Sequence, residues 1–192
     1  MLRFGKISVT AGFWITPVVT VLIGAADVLP AMLFAAVLHE AGHLAALRLF
    51  GVHVEEISFT AFGAEIRADL KYLPYWKDMI CTVAGPLVNL LAAFLLSRVA
   101  GSYLHAGANL LQGAFNLLPL TGLDGARFLQ LWLSFLFGPV KAVYISRAVE
   151  IACICILTGL ALYAVVRHRT GGFLLLSLFG IFVSIWREMC GK

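Results

Sequence analysis

Charge is what this chain has least of. Only 12% of its 192 residues are Asp, Glu, Lys or Arg, about half the share that a soluble domain presents to water. With 61% of residues hydrophobic and a mean hydropathy of +0.96, the composition does not fit a water-soluble globule. Cysteine is scarce as well. Cys81, Cys153, Cys155 and Cys190 show neither a disulfide framework nor a zinc-ribbon spacing, and they read as small packing residues. A basic cluster is also missing. The net charge is +4 and the pI about 9.0, but the lysines and arginines are scattered between apolar runs. That pattern signals membrane topology rather than nucleic-acid binding.

What the chain has in abundance is long apolar runs, at 11–29, 31–50, 79–97, 104–120, 143–166 and 172–187. A bilayer-crossing helix needs roughly 20 mostly apolar residues. The expectation is therefore a multi-pass cell-membrane protein, all-α in class, with about six transmembrane helices and residues 1–192 forming one membrane-embedded domain. Arg3 and Lys6 precede the first run as in a signal peptide, but no cleavage site and soluble region follow, so a retained anchor is expected. Six spans with a cytoplasmic N-terminus put Arg3, Lys6, Arg67, Lys71, Lys77, Lys141, Arg147, Arg187 and Lys192 on the cytoplasmic side. Only Arg98, Arg167 and Arg169 fall opposite. The asymmetry predicts that both termini are cytoplasmic, with Trp14, Trp76 and Trp186 at that interface.

Two stretches break the helical pattern. Residues 54–70, VEEISFTAFGAEIRADL, alternate in polarity around Phe62 and Gly63, which predicts a membrane-associated β-hairpin between the second and third spans. Residues 116–127, NLLPLTGLDGAR, place a proline, two glycines and an aspartate inside an apolar run, so a helix must break there. The segment 126–138 then reads as either an interfacial helix or an extension of the fourth span.

Chemistry gathers in the second run, AAVLHEAGHLAALRLFG. His39 and His43 are four apart, so a helix turns both to one side at a spacing suited to one metal ion. Glu40, beside them, is placed to take a proton from a metal-activated water. Three ionisable side chains within a span cost a few kcal/mol each and persist only with partners. A zinc ion partners both imidazoles, whereas a plain polar contact between helices does not need this spacing. A catalytic zinc takes a third protein ligand, for which Asp27, Glu65, Asp124 and Glu150 are available. Asp124 fits best. It follows the break, where irregular backbone at membrane depth lines a cavity or is buried in protein, and Pro119, Gly122 and Gly125 let the chain turn. The plainer reading makes Asp124 a cap for a helix over 125–137.

HEAGH (39–43), AGPLVN (84–89) and NLLPLTGLDG (116–125) together resemble the signature motifs of the site-2 protease family, intramembrane zinc metalloproteases of peptidase class M50. The resemblance runs from Leu33 to Arg127 with the motifs in the family's order. It is greatest to the small six-span subgroup that processes a sporulation sigma factor, although no nucleotide-sensing CBS domain follows the last run and no PDZ domain interrupts the core. The resemblance implies one Zn2+ per chain held by His39, His43 and Asp124, with Glu40 as general base. It implies that Asn116 meets the substrate or the developing oxyanion, and that Asn89, Pro86, Pro119 and Gly125 support the site. The hairpin matches an element that holds substrate, which makes Ile57, Phe59, Ala61, Ala64 and Ile66 candidates for pairing with an unwound substrate strand. The implied substrate is a transmembrane or membrane-proximal protein segment in the bilayer, with room for a regulatory partner. One departure is Gly122, where the family often has proline.

Two rival readings come from other classes. A metal transporter would spread polar residues along several spans, and here they gather in the motifs. An inactive relative that binds membrane segments would not need the intact His39, Glu40, His43 and Asp124 set. His53, His105 and His168 lie near run ends and read as ordinary interfacial residues.

Overall fold

The structure, a computed structural model, describes residues 2–4, 7–9, 15–22, 24–60, 63–70 and 73–168. Contacts divide the chain into two compact units, Met1–Leu117 and Leu118–Lys192.

The first unit begins with two short strands, β1 (Leu2–Phe4) and β2 (Ile7–Val9), followed by a short helix α1 (Ile15–Leu22). Gly24, at φ +77°, turns the chain towards α2 (Leu29–Leu49). Pro30 lies in the first turn of α2, where its missing N–H is no loss. Gly51 ends that helix at φ +70°. Its N–H bonds Arg48 O at 3.0 Å and the next N–H, of Val52, bonds Leu47 O at 2.9 Å, a Schellman stop that releases the chain into a strand.

That strand, β3 (Val54–Thr60), and β4 (Gly63–Ala68) form the expected hairpin, with Ile57 opposite Ile66. Its base is fixed by a cluster of Ala46, Leu47 and Cys81, over which Val54, Ile66 and Ala68 pack. The sheet is larger than the hairpin, because β2 pairs in parallel with β3 and the strand order is β1-β2-β3-β4. Ile7, Ser8 and Val9 stand against Ile57, Ser58 and Phe59, and the buried Ser8 hydroxyl donates to Ser58 Oγ at 2.9 Å. For Ile57 and Phe59 the expectation of a free pairing edge is corrected accordingly. The backbone of β3 is taken on both sides, and among the described residues the outer edge of the sheet next to the hairpin turn is β4, which carries Ala64 and Ile66. Ala61 lies outside the described residues.

Helices α3 (Tyr75–Leu96) and α4 (Tyr103–Asn116) complete this unit. They approach closely at glycine. A Cβ on Gly42 of α2 would lie 2.7 Å from Ala84 O, and one on Gly113 of α4 would lie 3.1 Å from Pro86 O. Small residues at such crossings let helices pack where no hydrophobic force drives them together. Val37, Leu91 and Leu111 face outward, while Asn89 and Asn109 are fully buried at 0% exposure. Apolar outside and polar inside is the distribution that a lipid solvent requires.

The second unit holds α5 (Asp124–Phe137) and α6 (Pro139–His168), joined at Gly138, which sits at φ +83°. Leu120 and Ile154 form its small core with Leu118, Leu123, Cys153 and Leu157 around them.

Among the described residues, three helices are long and apolar enough to cross a bilayer: Leu29–Leu49, Tyr75–Leu96 and Pro139–Arg167. α1 has 8 residues and α4 and α5 have 14 each. At 1.5 Å per residue the longer two reach about 21 Å, short of a core of about 30 Å. The fourth apolar run stops being helical at Asn116, since Pro119 disfavours helix in the residue before it. Residues 126–138 belong to a separate helix rather than an extension of α4. The last apolar run, 172–187, lies outside the described residues.

The glycine contacts yield a paired expectation. Gly42→Ala forces α2 from α3 and lowers stability by about 1–3 kcal/mol. Gly107→Ala, where nothing lies within 4 Å, is neutral or stabilising because alanine is the better helix former. Thermal unfolding of both variants in detergent measures the difference.

Candidate metal centre

The four-residue spacing places His39 and His43 on successive turns of α2, with their rings 4.7 Å apart between centroids and inclined at 83°. The two Nε2 atoms face each other at 3.1 Å. Which nitrogen of each ring carries the proton follows from the neighbours. Cys81 O lies 2.8 Å from His43 Nδ1, and a carbonyl only accepts, so that Nδ1 is protonated. The His39 Nδ1 atom lies 3.2 Å from Asn89 Oδ1. The orientation of Asn89 is itself fixed, because its Nδ2 donates to Ala35 O at 3.0 Å and to Asn109 Oδ1 at 3.2 Å. Asn109 in turn donates to His105 O at 2.9 Å. The chain terminates on the backbone carbonyls of Ala35 and His105, so the amide oxygen of Asn89 must face His39 and accept its Nδ1 proton.

With each Nδ1 held by an acceptor, the two Nε2 atoms are left facing one another as the pair available to a metal. A donor pair of this kind, with each second nitrogen held by an acceptor, is the arrangement seen in metal-ligating histidines. The chain thus fits a zinc ion at this point. Gly85 makes the space. A Cβ there would overlap the His43 ring around Nε2, so the glycine of AGPLVN is required by the histidine of the other motif. Pro86, next in α3, is fully buried and lacks the N–H that a helix interior would use. Glu40 is half-buried on the same turn of α2 as His39.

Asn116 is the last residue of α4, and its Nδ2 donates to Gln112 O at 3.0 Å. In the second unit, Asp124 is half-buried and opens α5. Leu123, extended at φ −106° and ψ 157°, holds the N-cap position and makes no side-chain cap bond. Asp124 is thus the first helical residue rather than the cap that the plainer reading assigned to it, and its charge suits the positive end of the helix. Gly125 behind it is buried. Pro119 and Gly122 shape the turn before it, Gly122 at φ +92°. Proline is locked near −65°, so this turn follows a path that a proline at 122 cannot take. Of the other residues weighed as ligands, Asp27 lies in the turn before α2 and Glu65 in β4.

Two contributors escaped the sequence reading. Cys81 acts through its carbonyl, which no side-chain pattern reveals. Asn109 supports Asn89, and its signal was present: an amide inside an apolar run, seven residues before Asn116 and so on the same helix face.

Residues 28–105 match the family model for peptidase family M50, a stretch that includes His39, Glu40, His43 and Asn89 and ends before Asp124. A zinc metalloprotease of Methanocaldococcus jannaschii is 31% identical over 137 residues, which is 65% of this chain and 40% of that protein. The chain thus spans about two fifths of that relative's length. The solved structure of a site-2 protease from Methanocaldococcus jannaschii superposes with a TM-score of 0.65 at 24% identity, covering 100% of this chain and 94% of that one. The fold is shared.

If Asn89 sets the tautomer of His39, Asn89→Leu weakens zinc binding by about 10–100-fold. Competition against a chromophoric chelator in detergent measures this, and an unchanged affinity would remove Asn89 from the site.

Proposed function

We propose that this chain, whose residues 28–105 match the model for peptidase family M50, is an intramembrane zinc metalloendopeptidase that cuts transmembrane or membrane-proximal segments of other proteins. The observation that carries the reading is the pair of Nε2 atoms of His39 and His43 that face each other at 3.1 Å within an apolar helix, beside Glu40. Asp124 supplies the third ligand. Two imidazole nitrogens and one carboxylate oxygen would make up the three protein ligands that a catalytic zinc takes. This assignment rests on the order of the motifs and on the chemistry of the donor set. Zinc held there supplies Lewis acidity and a water acidified towards neutral pH.

Glu40 takes the proton of the attacking water and returns it to the leaving amine. Asn116, whose amide has two donor hydrogens, turns one towards the oxyanion that develops on the cleaved carbonyl. A helical substrate hides its carbonyls in internal hydrogen bonds and must unwind before attack. The outer edge of β4 offers the unwound strand a ladder, with Ala64 and Ile66 along it. The enzyme works in the cell membrane as a single catalytic domain, with both termini in the cytoplasm as the lysine and arginine distribution indicates.

Purified protein and its Glu40→Gln variant, assayed on a panel of single-span peptides in detergent with zinc content measured on both, test the reading. The expected outcome is cleavage by the wild type and a loss of about 10²–10⁴-fold in the variant, with zinc retained in both. Equal cleavage by the variant would remove Glu40 from the chemistry, and a wild type that binds no zinc would sink the proposal.

A further inference from the structure

Glu150 is 4% exposed on α6, a candidate span whose most apolar stretch has a mean hydropathy of 2.3. A carboxylate there is costly unless both oxygens are satisfied. They are satisfied by different parts of the second unit. Oε1 accepts the backbone N–H of Thr121 at 2.7 Å, while Oε2 accepts from Arg147 Nη1, one turn earlier on α6, at 3.0 Å. Glu150 was available as a metal ligand on sequence grounds, but both of its oxygens are engaged here.

Thr121 lies in the turn that ends on Asp124. Leu120 N bonds Leu118 O at 2.8 Å and Leu123 N bonds Leu120 O at 3.0 Å, after which α5 begins. Pro119 has no N–H to contribute, and Gly122 supplies the left-handed bend. Leu120 anchors the turn in the apolar core at 1% exposure, but Thr121 is exposed. A cavity of about 240 Å³, lined by Thr121, Gln130, Ser146, Arg147 and Glu150 among others, opens beside it. Packing therefore does not hold Thr121, and the charge-assisted hydrogen bond does.

We infer that Glu150 is a positioning residue. It clamps the 119–123 turn through Thr121 N–H and so fixes the direction in which Asp124 leaves the turn, while Arg147 holds the other carboxylate oxygen. The clamp is a feature of the second unit alone, and its consequence for metal binding rests on the proposed role of Asp124 as a ligand.

Two readouts on the full chain in detergent test it: amide exchange across 118–124 in metal-free protein, and the rate at which zinc passes to an excess of chelator. In the wild type the Thr121 amide should exchange about tenfold or more slowly than its unprotected rate. Glu150→Leu removes the acceptor, and it should abolish that protection and speed zinc loss by about 10–100-fold. Glu150→Gln keeps a carbonyl oxygen for Thr121 and should stay within about threefold of wild type on both. An unprotected Thr121 in the wild type overturns the clamp without any variant, so a misfolded Glu150→Leu protein leaves the test intact. Zinc loss from Glu150→Leu at the wild-type rate also overturns it, as does acceleration shared equally by Glu150→Gln. A wild type that holds no zinc counts against the metalloprotease reading instead, and the exchange measurement then decides the clamp by itself.

Discussion

A neutral imidazole has two nitrogens, and a metal takes only one. Which one it takes is decided by what the other is given. In α2 both second nitrogens are committed: His39 donates to an amide oxygen on α3, and His43 donates to the carbonyl of Cys81 on the same helix. Asn89 can play this part only because Ala35 O and Asn109 Oδ1 hold its NH₂ end. The polar chain runs through three helices, and His39, Asn89 and Asn109 in it are buried where water cannot stand in. Remove one link, and the next loses the partner that justified its burial.

That chain demands short distances between backbones. Gly42, Gly85 and Gly113 supply them, each at a point where a single extra carbon would meet a neighbouring helix or the His43 ring. With the polar groups turned inward, the outer faces of α2, α3 and α4 are left to residues such as Val37, Leu91 and Leu111. In water such a surface would aggregate. In lipid it costs nothing, and the interior is then chosen by hydrogen bonding and close packing. The same logic operates in the second unit, where a buried carboxylate on α6 is satisfied by a turn and a guanidinium.

Local chemistry was legible in the sequence where it depended on spacing. His39 and His43 share a helix side because 3.6 residues make a turn, and the alternation in 54–70 placed the hairpin correctly. The structure departs from that reading where partners are distant. Leu2–Phe4 and Ile7–Val9 are too short to show a period, and the charged residues between and within them read as the flank of a retained anchor, so a parallel pairing across some fifty residues left no local trace. The length of an apolar run measures how far lipid is tolerated and says little about how far a helix continues. α1 ends at Leu22 and α4 at Asn116, although the apolar runs go on. Glu150 was legible as costly, but its partner, a backbone N–H, has no letter in the sequence.

X-ray absorption at the zinc edge of the purified protein tests the central claim most directly, because it counts ligands by type without relying on a substrate. The account requires stoichiometric zinc with two imidazoles at about 2.0–2.1 Å and oxygen in the remaining positions. A sulfur neighbour at about 2.3 Å, or a spectrum without imidazole scattering, would contradict it.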